Sequence, residues 1–202
     1  METIIRNAEL KDVNGIVKIH LAAFEDFFLS SLGERFLRIY YSAFIKSKQG
    51  VVLCAKKNED VVGFSACSFI SRGFNASLIK HNLVEFGIEA IMLLFTKHKA
   101  LLRLAKNLNK ESDDTTINDK GVYAELYSIA VSPSCQGEGV GKKLLTATEN
   151  DVKKHNDIIS LTTDYYNNEK TIAFYHALEY ENYYEFVTYP DRRMWRMIKK
   201  LS

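Results

Sequence analysis

Three observations in the sequence predict one domain of the α/β class. Short runs rich in Val, Ile and Phe alternate along the chain with stretches of helical period. The 202 residues, 47% of them hydrophobic, supply one well-buried core and leave no length for a second full domain. A glycine-rich loop, Gln136-Gly137-Glu138-Gly139-Val140-Gly141, stands between a strand pattern and a helix pattern.

Taken in order, residues 3–6 read as a first strand. Asp12 suits a helix cap, and Val13, Ile16, Val17, Ile19 and His20 follow at helical spacing. Residues 32–46 predict a second helix, with Phe36, Leu37, Ile39, Tyr40, Phe44 and Ile45 as its apolar face. The Val- and Phe-rich runs 51–56 and 61–69 predict a hairpin around Lys57-Asn58-Glu59-Asp60. Residues 73–110 turn helical and basic, and 111–120 are polar and poor in strand formers, so 73–120 is expected to be a helical insertion in the domain. Strand character resumes over 122–131, and a helix opens near Gly139 with Val140, Leu144, Leu145, Thr148 and Val152 on one face. A strand at 157–163 follows, then a helix capped by Asn167-Asn168 and running through Phe174, Tyr175 and Leu178. Two closing strands are expected at 182–189 and 192–199.

Composition excludes several functions. A net charge of +2 does not indicate a polyanion binder, so nucleic acid is not an expected partner. Cys54, Cys67 and Cys135 form no Cys-x-x-Cys pair, and the five histidines show no ligand spacing with them, so neither a metal site nor a disulfide framework is expected. Cys54 and Cys67 read as small buried hydrophobes, whereas Cys135 borders the glycine loop. The N-terminus has no basic region followed by an apolar stretch, and no run approaches the roughly 20 apolar residues that span a bilayer. A cytoplasmic protein without an integral membrane segment is expected.

The loop suits a phosphate. Glycines let backbone approach a ligand closely, and the first N–H groups of a helix lack intrahelical partners and carry the positive end of its dipole. Spacing removes two phosphate chemistries. A P-loop has four residues between its glycines followed by Lys-Ser or Lys-Thr, but three separate Gly137 from Gly141 and Lys142-Lys143 follows. A dinucleotide fingerprint would put its third glycine where Lys142 stands.

What remains, Gln-x-x-Gly-x-Gly after a strand ending Ala130-Val131-Ser132-Pro133, resembles the acyl-CoA pyrophosphate loop of the GCN5-related N-acetyltransferases (GNAT superfamily). A second stretch, Asn168-Glu169-Lys170-Thr171-Ile172-Ala173-Phe174-Tyr175, resembles the family's Asn-x-x-Ala-x-x-Phe-Tyr helix, with the small residue at Ala173 instead of Thr171. The order of elements outside 73–120 is similar as well. The resemblance implies a central mixed, twisted sheet flanked by helices and an N-acetyltransferase that uses acetyl-CoA without a metal. It also implies direct transfer to the primary amine of a small molecule, for which an amino sugar is preferred. A non-catalytic acyl-CoA-binding or regulatory module is the alternative.

Residue by residue, the resemblance places the pyrophosphate on the backbone of Gln136, Gly137, Glu138, Gly139, Val140, Gly141 and Lys142. The pantetheine arm lies along Ile129, Ala130 and Val131, beside a strand separated from its neighbour by a bulge. A backbone N–H near Ile129 is then the oxyanion donor. Glu125 stands where histone-type relatives carry a general base, Asn168 would contact the cofactor arm, and Tyr175 would protonate or hydrogen-bond the departing thiolate. Where the family usually has Gly-Phe, this chain has Glu179-Tyr180, which bears on the local turn.

The family's acceptor cleft maps in part to the loop with Phe24, Glu25, Asp26 and Phe27, whose acids suit an ammonium group. Tyr165-Tyr166 and Tyr183-Tyr184 suit its walls. The apolar and basic face of 73–110 fits a lid, a homodimer surface, or contact with an anionic membrane or sugar phosphate, and no partner is assigned to it.

Overall fold

Seven strands lie side by side in the order β1-β2-β3-β4-β5-β7-β6 in a computed structural model, which describes residues 2–25, 27–97, 119–188 and 191–202. The strands are β1 (Ile4–Asn7), β2 (Gly50–Lys57), β3 (Asp60–Ser68), β4 (Ala124–Val131), β5 (Ile158–Asp164), β6 (Glu181–Thr188) and β7 (Arg192–Lys200). The sheet is mixed: β4 and β5 are parallel and every other neighbouring pair is antiparallel. The described helices are α1 (Val13–Ala23), α2 (Phe28–Leu32), α3 (Glu34–Lys46), α4 (Phe74–His81), α5 (Leu83–Thr96), α6 (Val140–Val152) and α7 (Glu169–His176).

Period-two alternation sorts the layers. Val52 and Cys54 of β2 face α1 and α3, and the intervening Leu53 and Ala55 face α6. The first face is filled by Ile16, Val17, Leu37, Tyr41, Phe44 and Phe64, all essentially without exposure. Behind the other face, Leu145, Ile159, Tyr175, Tyr180 and Met197 form a separate cluster under α6 and α7.

The helix expected over 32–46 is α3, which begins two residues later at Glu34; Gly33, whose φ of 98° carries the chain out of helical geometry, separates it from the short α2 that ends at Leu32. Of the expected helical stretch 73–110, residues 74–81 and 83–96 are helical, and the portion from 98 onward lies outside the described residues. The hairpin between β2 and β3 turns on Asn58 at φ 57°, a conformation asparagine tolerates. At the end of α7, Glu179 takes φ 67° where the family usually has glycine, and Tyr180 beneath it is buried. The turn keeps its left-handed residue without glycine, at a cost of about 1–2 kcal/mol.

His20 on α1 is buried among Phe24, Tyr41 and Phe64. Its Nδ1 shares a 2.7 Å hydrogen bond with the Tyr41 hydroxyl, and Nε2 is buried without a partner among the described residues. Burial disfavours the cationic ring and lowers its pKa to about 4. The unfolded chain, with an ordinary histidine near 6.5, therefore binds more protons than the folded one between the two values. Stability from this residue is complete above pH 6.5 and is lost as pH falls toward 4, by at most about 3 kcal/mol. Urea denaturation across that window should show this slope, and His20→Phe should flatten it.

Candidate active site

The ladder between β4 and β5 is short. Ala124, Glu125 and Leu126 pair with Ile159, Ser160 and Leu161, and there it stops. Beyond it, β4 stays paired with β3 on its outer side and β5 stays paired with β7 on its outer side. Their inner edges part into a wedge, leaving residues 127–131 and 162–164 without each other as partners. The cause lies on β4, where Ser128 opposes Ala66 and Leu126 opposes Cys67, so Tyr127 is an extra residue in the register. Such a bulge bends its strand and changes which residues face which layer. Leu126 and Ile129 both pack behind the sheet, while Tyr127 and Ala130 face the α1 and α3 side.

The glycine loop follows directly from the wedge. After a 3-10 turn at Pro133–Cys135, Gly137 and Gly139 adopt φ values of 82° and 77°, which side chains other than glycine rarely take. Gly139 is the N-cap of α6, and no side chain caps that terminus. The first helical hydrogen bond runs from the Lys143 N–H to the Gly139 carbonyl, so the N–H groups of Val140, Gly141 and Lys142 precede the ladder. Gly141 differs from the other two glycines. Its φ is not positive, and a Cβ there would meet only Val131 at 3.8 Å and Phe174 at 3.9 Å, ordinary contacts. The packing of this chain does not require a glycine at 141.

Around the loop, Glu138 pairs with Lys57 at 3.2 Å, which offsets an anionic side chain beside the helix terminus. Lys142 is exposed, and Gln136 is exposed with its amide 3.5 Å from the Val131 carbonyl. Cys135 is buried under α6 with Val140 and Leu144, as a core residue is. Cys54 and Cys67 are buried too, and burial raises the Cys54 thiol to about 11 and the Cys67 thiol well above its ordinary value.

Glu125 sits at the apex of the wedge, opposite Ser160 and one residue before the split. Its carboxylate is held from two sides, accepting from Ser71 Oγ and from Arg196 Nη1 at 3.1 Å. Arg196, in the middle of β7, also donates to Ser160 Oγ at 3.1 Å and to the Tyr184 hydroxyl at 3.0 Å. Its Nε lies 3.7 Å from Asp119, which accepts from the Tyr123 and Tyr184 hydroxyls and from the Gly121 N–H. Burial alone would raise the Asp119 carboxyl; these hydrogen bonds and the Arg196 charge outweigh it and hold the carboxyl below its ordinary value. Burial likewise disfavours the Arg196 cation, but Glu125 and the surrounding oxygens more than restore it.

Arg196, Asp119, Ser71 and Ser160 were not singled out in the sequence. One signal was there: an arginine between Trp195 and Met197 in a closing strand occupies a position that alternation assigns to a covered face, where a cation needs an acid.

Tyr175 projects from α7 into the layer behind the sheet, packed edge-on against Tyr180 at 5.5 Å. Burial raises its pKa, and no hydrogen bond ties its hydroxyl to a described residue. Asn168 stands at the N-cap of α7 without capping it. Its amide turns back to β5, donating to Thr163 Oγ1 at 2.6 Å and to the Asp164 carbonyl at 3.0 Å, so it fastens the turn at the wedge's open end.

The α1 to α2 loop reaches the same end. Phe24 packs on His20 and Phe27, and the Arg192 guanidinium lies 4.1 Å over the Phe27 ring while pairing with Asp164. Glu25 is exposed, and Asp26 lies outside the described residues. Tyr165 stacks on Trp195 under Arg193, Tyr166 and Tyr183 are exposed, and Tyr184 is buried in the Arg196 network.

Comparison with known proteins agrees with this architecture. An N-acetyltransferase from Staphylococcus aureus Mu50 superposes with a TM-score of 0.62 at 15% identity, covering 100% of both chains. The ribosomal-protein-S18-alanine N-acetyltransferase from Escherichia coli gives 0.60 at 15% identity, over 100% of this chain and 95% of its own. A histone acetyltransferase HPA2 and related acetyltransferase from Corynebacterium glutamicum gives 0.60 at 18% identity, over 100% and 98%. At these identities the likeness is one of fold. No curated protein matches the sequence. Residues 16–180 match the Acetyltransferase (GNAT) family, and the chain belongs to that family of acyltransferases.

Proposed function

We propose that the protein transfers the acetyl group of acetyl-CoA directly to the primary amine of a small molecule, both substrates being bound together. The observation that carries this reading is the wedge between β4 and β5 leading straight into an uncapped helix terminus. It offers an unpaired strand edge to an amide-bearing chain and backbone N–H donors to a diphosphate, in the order in which coenzyme A carries them.

In this reading the N–H groups from Gln136 to Lys142 hold the pyrophosphate, and Ile129, Ala130 and Val131 pair with the pantetheine amides as a neighbouring strand would. The Ile129 N–H donates to the thioester oxygen as charge develops there. Glu125 accepts the proton of the incoming ammonium through water, since both its oxygens are already engaged. Tyr175 donates a hydrogen bond to the departing sulfur. Because burial makes its hydroxyl a weaker acid than a thiol of about 8.5, it stabilises the thiolate without giving up its proton. Asn168 acts by holding the turn between β5 and α7.

The acceptor is placed beside Phe24, Glu25, Asp26 and Phe27. An amino sugar is preferred, since the Phe24 and Phe27 rings near that end suit the apolar face of a pyranose. Residues 73–120 are read as an insertion in one domain of 1–202: β3 and β4 are antiparallel neighbours, which a short turn would join.

Gly141→Ala tests the loop's role. Alanine is the better helix former, so stability should rise by about 0.5–1 kcal/mol, while coenzyme A affinity measured by calorimetry should fall about tenfold or more. Unchanged affinity would remove the pyrophosphate from this loop.

A further inference from the structure

The helix α5 touches the rest of the protein along a narrow stripe. Phe86, Glu89 and Leu93 are buried, with Phe86 edge-on against Phe36 of α3 and Glu89 paired with Arg35 at 2.7 Å. At 100° per residue, Leu83, Val84, Ile88, Ile91, Leu94 and Phe95 project over about half the circumference on the opposite side. All six are exposed, Phe95 by 85%. A helix that covers one stripe and shows half its circumference as uninterrupted apolar surface presents far more than the scattered exposed side chains of an ordinary surface. No helix among the described residues is long and apolar enough to cross a membrane.

The charges around this face are mainly cationic, the exposed Glu85 in the first turn of α5 being the exception. Exposed Lys80 and His81 stand at the end of α4, beside the start of α5, and exposed Lys97, whose ammonium also donates to the Ser31 carbonyl at 2.9 Å, stands at the other end. In the sequence no acid occurs between Glu89 and Glu111, whereas Lys97, Lys99, Arg103, Lys106 and Lys110 all fall there. Glu89 is turned inward and neutralised by Arg35. A second copy packed on this face would bring an excess of cations against itself, with only Glu85 to offset them. An anionic bilayer surface satisfies both features, taking the apolar side chains among its acyl chains and the cations among its headgroups.

We propose that α5 docks the protein on an anionic phospholipid membrane, lying in the interface with Ile91 and Phe95 inserted and Lys80 and Lys97 at headgroup level. Sedimentation of the 202-residue chain with vesicles tests this. It should pellet with vesicles of phosphatidylcholine and phosphatidylglycerol, remain in the supernatant with phosphatidylcholine alone, and be released as salt screens the headgroups. Ile91→Ser and Phe95→Ser should each lower partitioning about tenfold. Both side chains are exposed, so neither variant should lower the thermal midpoint. A chain that stays in the supernatant with both vesicles overturns the proposal, as does one whose variants pellet undiminished. A dimer in sedimentation equilibrium that Phe95→Ser dissociates, without vesicle binding, gives the face to a second copy and overturns it equally.

Discussion

Arg196→Met is expected to destabilise the protein by about 3–5 kcal/mol, because it leaves buried carboxylates facing one another without their cation. Glu125 and Asp119 are 12% and 9% exposed and both lie within 4 Å of the guanidinium. The substitution also leaves the Ser160 and Tyr184 hydroxyls without a donor they now share. Adding Glu125→Gln to the variant removes one of the two uncompensated charges, so the double variant should regain part of the loss. Denaturant midpoints of the four proteins in this cycle measure the coupling. Additive effects would mean that Arg196 does not hold Glu125 in solution.

Glu125→Gln alone should leave most of the stability and remove most of the activity. The amide keeps the shape of the carboxylate, and its oxygen can still accept from Ser71 or Arg196. It cannot take a proton at neutral pH, and loss of a positioned general base lowers turnover by about 10² to 10⁴. Glu125 stands at the apex, away from the glycine loop, so the KM for acetyl-CoA should move little while kcat falls. A merely structural Glu125 would give a different pattern: kcat reduced only in proportion to the folded fraction.

The sequence made the element order legible because each element announces itself locally. The helix at Val140 was marked by its glycines and by Leu144, Leu145, Thr148 and Val152, and it begins one residue after the expected Gly139. The strands 157–163 and 192–199 lie within a residue of the observed β5 and β7. The break at Gly33 was hidden because Leu32 and Phe36 continue the apolar spacing across it. The wedge was legible only by resemblance. An extra residue at Tyr127 leaves apolar and polar residues alternating in name while their faces change, and no pattern along one strand reports how far its neighbour follows.

The network at the apex was harder still to read, since Ser71, Asp119, Glu125, Ser160 and Arg196 come from four separate stretches of chain. Glu125 was identified as a candidate base from its place in the strand. That one of its oxygens is taken by an arginine 71 residues away follows only from the pairing of β5 with β7. Asn168 shows the same limit, since its expected contact gave no hint that its amide would turn to Thr163.

Free thiol released from acetyl-CoA in the presence of a panel of small amines, amino sugars among them, tests the central claim most directly. The wedge and glycine loop predict release that depends on the amine, saturates with both substrates, and falls by about 10² or more in Glu125→Gln. Tight coenzyme A binding without amine-dependent release across the panel would contradict it.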